Sequence, residues 1–514
     1  MASRLATPSL IVLAVVFVLS SMVTCVLIAT LDPSEWLPGG GDPDPDTGKD
    51  QAAVQAIGGL AIEPTQMPKL TPTPDAPHSL PEIRTQSEEY VVQAGDYLQS
   101  IAQRYMVSVA VIIEANDLSS PDLLEPGQTL VIPPAQPDEN GPAFKVIPDA
   151  ELIYSPSSVD FDLARFVQEQ AGYLAKYREE VDERNLSGVK IVERVAQEYS
   201  INPRLLLAVL EYQSGWVTNV QPEENSLEYP MGIAEPLRAG LYRQLAWAAN
   251  QLNRGYYLWR VNGVPVWDLA DGSVISIDPT INAGTAGVQH YFAQLLGRED
   301  WKKAVSETGL FATYNQLFGY PFHSAIEPLL PADLKQPKLQ LPFEPDQSWA
   351  FTGGPHGGWG SGSAWAALDF APPGDALGCV QSEAWVVAVA DGLIIRTGDG
   401  AVVQDLDTDG FEQTGWTVLY MHIETRDRVR EGTFLKAGEP VGHPSCEGGV
   451  STGTHVHLAR RYNGEWIPAD QTLPFNLDGW KSVGTGSEYD GYLKRNGKTI
   501  EAWEGSSSAN AIER

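Results

Sequence analysis

Residues 453–462 read GTHVHLARRY, and this stretch decides how the C-terminal part of the chain folds and what it can do. Polar and apolar residues alternate around His455 and His457, the period of a half-buried strand. Side chains at i and i+2 on a strand leave the same face about 6.5–7 Å apart, so both imidazoles look into one site. One can ligate a metal while the other handles a proton. Working outward, five of the eight histidines (His356, His422, His443, His455 and His457) fall between residues 350 and 460. His356 sits in the Gly-rich loop GGPHGGWGSGS, Asp369 follows in ALDFAPPGDAL, and His422 ends the run WTVLYMH. Two histidines and a carboxylate, with a fourth position left to water, make the ligand set of a catalytic rather than a structural zinc site. From Trp349 onward, short β-branched and aromatic runs are punctuated by Gly and Pro, which predicts an antiparallel β-sheet domain over 343–475. Residues 476–514 form a C-terminal extension, with a disordered tail expected from about Gly505.

Taken together, GGPH, LDFAP thirteen residues on, VLYMH and GTHVHL resemble the LytM/lysostaphin-type zinc metallopeptidases over about residues 349–465. Most of that group carry the first ligand four residues before the aspartate, where this chain has Trp365. The arrangement is similar to the β-lytic branch, whose first histidine lies well upstream in a GG-x-H loop. The resemblance makes His356, Asp369 and His457 the zinc ligands. It makes His455 the general base and His422 the partner that steadies the water or the developing oxyanion. It also implies that peptide bonds of peptidoglycan are cut.

Residues 88–134 predict a strand, helix, helix, strand unit. YVVQAGD supplies a strand ending near Gly95, Asp96 is placed to cap a helix, and LEPGQTLVIP closes with a turn and strand. The segment resembles a LysM domain across nearly its whole length, which implies binding of peptidoglycan glycan. The groove would lie around Gly95, Asp96, Asn116 and Leu118.

Residues 159–327 show helical periodicity, with Asn202 as a cap and Pro203 in the first turn of NPRLLLAVLEYQSGW. An all-α domain is expected. That segment resembles the lysozyme-like lytic transglycosylases, but Gln213 stands where their acid stands, and an amide has no proton to give. Glu211, two residues away, turns about 200° to another helix face. The resemblance therefore implies a degenerate, non-catalytic helper domain.

The apolar run from Leu10 to Leu31 carries no charge and is long enough to span a hydrocarbon layer as a transmembrane helix. Arg4 precedes it and acidic residues follow, so residues 1–31 are expected to anchor the chain in a bacterial cell membrane with the bulk outside. Residues 32–87, rich in Pro, Gly and Asp, read as a disordered spacer. Beyond the apolar run the chain has two cysteines, Cys379 and Cys446, a candidate disulfide in an oxidising compartment. Thirty-four basic against sixty-six acidic side chains give a formal charge of −32, which argues against a nucleic-acid partner. The DLDTDG run at 405–410 reads as a hairpin turn rather than a calcium loop, because Trp416 stands where a bidentate Glu is needed.

The expectation is a multidomain, membrane-anchored Zn2+ endopeptidase, with peptidoglycan as partner through both LysM and peptidase domains and a regulatory protein of unspecified identity. The alternative is a non-catalytic wall-binding scaffold that regulates another hydrolase.

Overall fold

The computed structural model describes residue 75 and residues 77–514, apart from 94–95, 106, 108, 119–123, 135–136, 138, 324 and 375–377. The run from Leu10 to Leu31, most of the spacer, Gly95 and Asp375 lie outside the described residues. Among the described residues no helix is long and apolar enough to cross a membrane.

The LysM segment folds as expected. Strand β1 (Glu88–Val91) pairs antiparallel with β2 (Thr129–Ile132), and helices α1 (Leu98–Tyr105) and α2 (Val109–Ala115) cover them. Its small core gathers Leu98, Ile101, Ile112, Leu130 and Ile132. Asp96 departs from the expected cap: its carboxylate accepts from the Tyr90 hydroxyl at 2.5 Å and the Gln93 amide at 2.7 Å, tying the strand end instead.

The middle region is built on helices α3 (Gly188–Tyr199), α4 (Pro203–Ser214), α5 (Leu241–Arg260) and α6 (Ala283–Ala293). Asn202 caps α4 through the Arg204 amide, Pro203 opens its first turn, and Gly215 ends it at φ +68°. Every residue from Leu205 to Leu210 is buried, so α4 is a core helix rather than an amphipathic surface one. The all-α expectation needs correction. Arg178–Val181 and Arg184–Ser187 form a hairpin, and Val266–Asp268 pairs with Val274–Ser276 in a small sheet. The hairpin turn sets both Asp182 and Glu183 at positive φ, the geometry usually given by Asn-Gly, so this sequence carried no turn signal.

The C-terminal region is the expected antiparallel sheet. Its main strands are β3 (Ser348–His356), β4 (Ala367–Ala371), β5 (Gly392–Gly398), β6 (Ala401–Asp405), β7 (Trp416–Met421), β8 (Val456–Tyr462) and β9 (Ala511–Glu513). They lie in the order β5-β6-β7-β8-β4-β3-β9, with Phe434–Leu435 beside β5. The tail after Gly505 is ordered, against expectation: β9 pairs with β3 and buries Ile512. The extension is part of the domain, since Asn476–Glu501 folds into a four-stranded sheet that shares a core with Phe370, Val418 and Leu458.

Alternation on these strands sorts the two faces. Leu368, Phe370, Val418, Tyr420, Val456 and Leu458 point to the core shared with the extension. Ala367, Ala401, Val403, Leu419, Met421 and Ala459 point the other way, into the same core as the helices of the middle region. The junction is also hydrogen-bonded: the Trp466 amide donates to the Tyr257 hydroxyl at 2.9 Å, and Arg260 pairs with the buried Glu465 at 2.9 Å. The helices and the sheet are therefore built around one continuous core.

Candidate metal centre and active-site cleft

Antiparallel register assembles the site. His457 on β8 lies opposite Asp369 on β4, and Asp369 lies opposite Gly353 on β3, so three neighbouring strands present their side chains together. A Cβ on Gly353 would stand 2.6 Å from the Asp369 carboxylate, which explains a glycine there. An irregularity in register between Gly353 and His356 then carries the imidazole back over the aspartate.

The three expected ligands converge. His356 Nε2 lies 3.2 Å from Asp369 Oδ1, His457 Nδ1 lies 3.3 Å from the same oxygen, and the two nitrogens are 2.9 Å apart. Donors about 2.0–2.1 Å from one tetrahedral zinc would be separated by about 3.3 Å. The outer hydrogen-bond partners of the two rings suit a cation between them. His356 Nδ1 faces the Gly354 carbonyl at 2.7 Å and His457 Nε2 faces the Gly358 carbonyl at 3.2 Å, so each ring gives its N–H outward. Two lone pairs and a carboxylate oxygen thus meet, and Asp369 Oδ1 is buried with no hydrogen-bond donor. Such a cluster calls for positive charge among them, which a metal ion or a proton on His356 supplies.

The electrostatics agree. Burial pushes the Asp369 carboxyl up, but the charges of His356 and His455 outweigh it and hold the group well below the carboxylate range. Burial pushes His356 down, yet the Asp369 carboxylate outweighs it and raises the imidazole above its ordinary value. His457 is held below its ordinary value by burial.

Two further imidazoles flank this centre. His455 Nδ1 donates to the Gly453 carbonyl at 2.8 Å, leaving Nε2 as an acceptor 3.8 Å from Asp369 Oδ1. His422, just past β7 at φ +64°, donates from Nδ1 to the Glu447 carbonyl at 2.9 Å, and its ring centre is 4.4 Å from that of His455. Burial, reinforced by His455 and His457, pushes His422 down to about 3, so it is neutral and offers Nε2 as an acceptor. In this state Nε2 can accept from a water, and it could serve an oxyanion only after gaining a proton.

Cys379 and Cys446 are bonded, joining the loops that border the site. His443 stands apart, with its ring 3.9 Å from that of Trp385 and Nδ1 on the Ala384 carbonyl. The 405–410 run is a turn: the Asp405 carboxylate accepts from the amides of Asp407, Thr408 and Gly410.

Sequence reasoning missed Tyr489. Its ring stacks on His356 at 4.3 Å and 18°, and its amide and carbonyl bond the Pro355 carbonyl and the Gly354 amide. It lies in the extension after the expected domain boundary, and no local pattern ties it to His356. The site opens into a cleft of about 1880 Å³, whose other wall includes Tyr199, Tyr242 and Arg194 of the middle region. This exceeds the roughly 300–1,000 Å³ of small-molecule pockets.

In the middle region neither Glu211 nor Gln213 is free for glycosidic chemistry. Glu211 accepts from the Val217 and Thr218 amides and the Thr218 hydroxyl, closing the end of α4. Gln213 donates to the Met231 carbonyl and the Tyr291 hydroxyl. In the LysM groove both N–H groups of Asn116 donate to the Ile112 and Val131 carbonyls, and its oxygen accepts from the Val131 amide. Through these bonds Asn116 locks α2 to β2. Leu118 packs against the small core.

A buried His-Asp-His donor set in an open cleft, with two more imidazoles beside it, defines a metallopeptidase. Residues 375–468 match the model of peptidase family M23, residues 90–133 the LysM domain, and residues 145–331 the model described as LasA, N-terminal domain. Beta-lytic metalloendopeptidase of Lysobacter enzymogenes is 30% identical over 167 residues, covering 31% of this chain and 90% of the relative. Protease LasA of Pseudomonas aeruginosa strain UCBPP-PA14 is 26% identical over 373 residues, covering 68% of this chain and 80% of the relative. Among solved structures, the M23 metalloprotease pseudoalterin is 25% identical, covering 36% of this chain and all of that one, with a TM-score of 0.28. The chain belongs to the M23 family beside the beta-lytic metalloendopeptidases, and it is a metalloendopeptidase carrying a LysM domain. The middle region, for which the sequence suggested a lysozyme-like fold, is matched instead to the N-terminal domain of LasA.

Proposed function

We propose that this chain is a zinc endopeptidase of the bacterial cell envelope that hydrolyses peptide bonds of peptidoglycan. The observation that carries the reading is the meeting of two imidazole lone pairs on the buried, donor-less oxygen of Asp369. His356, Asp369 and His457 are the residues that would hold the ion, a borderline-soft divalent cation suited to two nitrogens and one oxygen. When bound, zinc supplies Lewis acidity that polarises a peptide carbonyl and acidifies water.

His455 Nε2 accepts the proton of the attacking water and returns it to the leaving amine, while its N–H on the Gly453 carbonyl keeps the ring aimed. Asp369, 3.8 Å away, stabilises the imidazolium in between. His422 orients the water through its acceptor nitrogen. Tyr489 covers one face of His356 and screens it from solvent.

The LysM domain supplies glycan affinity through the groove near Gly95, Asp96 and Leu118, which Asn116 shapes from behind. The apolar run from Leu10 to Leu31 anchors the chain in the membrane, with the catalytic region outside. A gap in the ligand set would favour the scaffold alternative, and the grouping of His356, Asp369 and His457 supports the enzyme reading.

The test is zinc content, together with release of peptide-derived amines from purified peptidoglycan, for the full chain and for His356→Ala. The parent should hold one zinc and cut, and the variant should lose both. A parent with no zinc and no released amine is a wall-binding scaffold, and release of reducing ends in place of amines would return attention to the middle region.

A further inference from the structure

We propose that Asn250, on helix α5 of the middle region, is a positioning residue for the metal centre, acting through the loop 357–363 on His457. The inference rests on the metal-centre reading above and adds to it a part of the protein outside the peptidase sheet.

The orientation of His457 depends on the Gly358 carbonyl that accepts its Nε2–H at 3.2 Å. That carbonyl lies in the loop GGWGSGS, which has glycine at 357, 358, 360 and 362. Such a segment has many backbone states and holds a carbonyl in place only if its surroundings restrain it. Within the loop the Gly358 amide donates to the Ala364 carbonyl at 3.0 Å and the Trp359 amide to the Ser363 hydroxyl at 3.0 Å, and from outside the restraint comes from α5. Asn250 Oδ1 accepts from the Gly362 amide at 2.8 Å, and Asn250 Nδ2 donates to the Ser361 hydroxyl at 3.1 Å. The Trp359 ring meets Tyr199 of α3 edge-on at 6.5 Å.

Contact is close enough that the glycines are required. A Cβ on Gly362 would stand 2.0 Å from the Asn250 carbonyl oxygen, and one on Gly360 2.8 Å from Asn250 Oδ1. On its inner side, a Cβ on Gly358 would stand 2.6 Å from the Trp466 ring. The loop is pressed between that indole and the helical wall. The middle region therefore fixes the partner that sets the tautomer and direction of a metal-binding imidazole.

Outer partners of ligating histidines typically change metal affinity by about 10–100-fold. Asn250 acts further out, through Ser361 and Gly362 of the loop, so the low end of that range, about tenfold, is expected of Asn250→Ala. The experiment measures the zinc dissociation constant of the full chain by competition with a chromophoric chelator, and the melting temperature of the metal-free protein. Asn250→Ala should bind zinc about tenfold more weakly while melting as the parent does without metal. Asn250→Asp keeps an acceptor for the Gly362 amide and should retain the parent's affinity. Gly362→Ala lifts the loop off α5 with Asn250 in place, and should weaken zinc as Asn250→Ala does.

Parent-like zinc affinity in Asn250→Ala or in Gly362→Ala overturns the proposal, as does equal weakening in Asn250→Asp. If the parent itself binds no zinc, the metal-centre reading fails and this inference falls with it.

Discussion

One face of the peptidase sheet has two halves with opposite fates. Toward one end, Ala459, Leu419 and Val403 are sealed under the helices of the middle region. Toward the other, His457, Asp369 and His455 look into the open cleft. The backbone, strand order and alternation are shared, so the side chains alone decide. An apolar row gains about 25 cal/mol for each Å² removed from water and is stabilised by a cover. A row of acceptors under the same cover would be left without donors, and it has to keep access to a cation and to substrate. The middle region covers the first half completely and only borders the second.

The sharpest way to break this comparison is His455→Ala. If the open half is catalytic, activity on peptidoglycan should fall by about 10²–10⁴-fold while zinc stays bound, because proton transfer is lost and the donor set is kept. Parent-like turnover would make His455 a bystander.

A smaller effect is expected in the sealed half. Leu419→Ala removes a side chain that is 2% exposed and should cost about 2–5 kcal/mol in denaturant unfolding. Because helices and sheet share that core, the loss should appear in a single transition. Separate transitions would mean the two regions fold apart.

A third effect concerns pH. Burial, helped by the nearby Arg254 charge, pushes His290 on α6 down to about 3 from an ordinary 6.5. Between those values the unfolded chain holds a proton that the folded chain does not. Stability should therefore fall as pH drops below about 6.5, by up to roughly 1.4 kcal/mol per unit, and level off below about 3. Above that window His290 contributes no slope. Acid titration of His290→Gln should lack this component, and an unchanged slope would show that His290 is solvated.

Much of the sheet and site was legible because β structure writes its faces into a period of two. GTHVHL placed two imidazoles on one side, and β8 keeps them there opposite Asp369. His356 was legible through its glycine neighbours, which make room for the Asp369 carboxylate. Asn116 entered through the LysM resemblance, and no local pattern shows that both its N–H groups are used within the fold. The ordered tail was illegible because Ile512 gains its burial from β3, more than 150 residues earlier in the chain.

By itself, then, the amino-acid sequence determined the order of regions, the strand faces, the cap at Asn202 and the five histidines of the peptidase region, since each depends on neighbours a few residues away. Only the tertiary structure decided that Tyr489 stacks on His356, that α5 holds the loop behind His457, and that helices and sheet share one core. These are contacts between segments remote in the chain, and no local periodicity encodes them. They form because each segment brings a surface that finds its complement only once the others have folded.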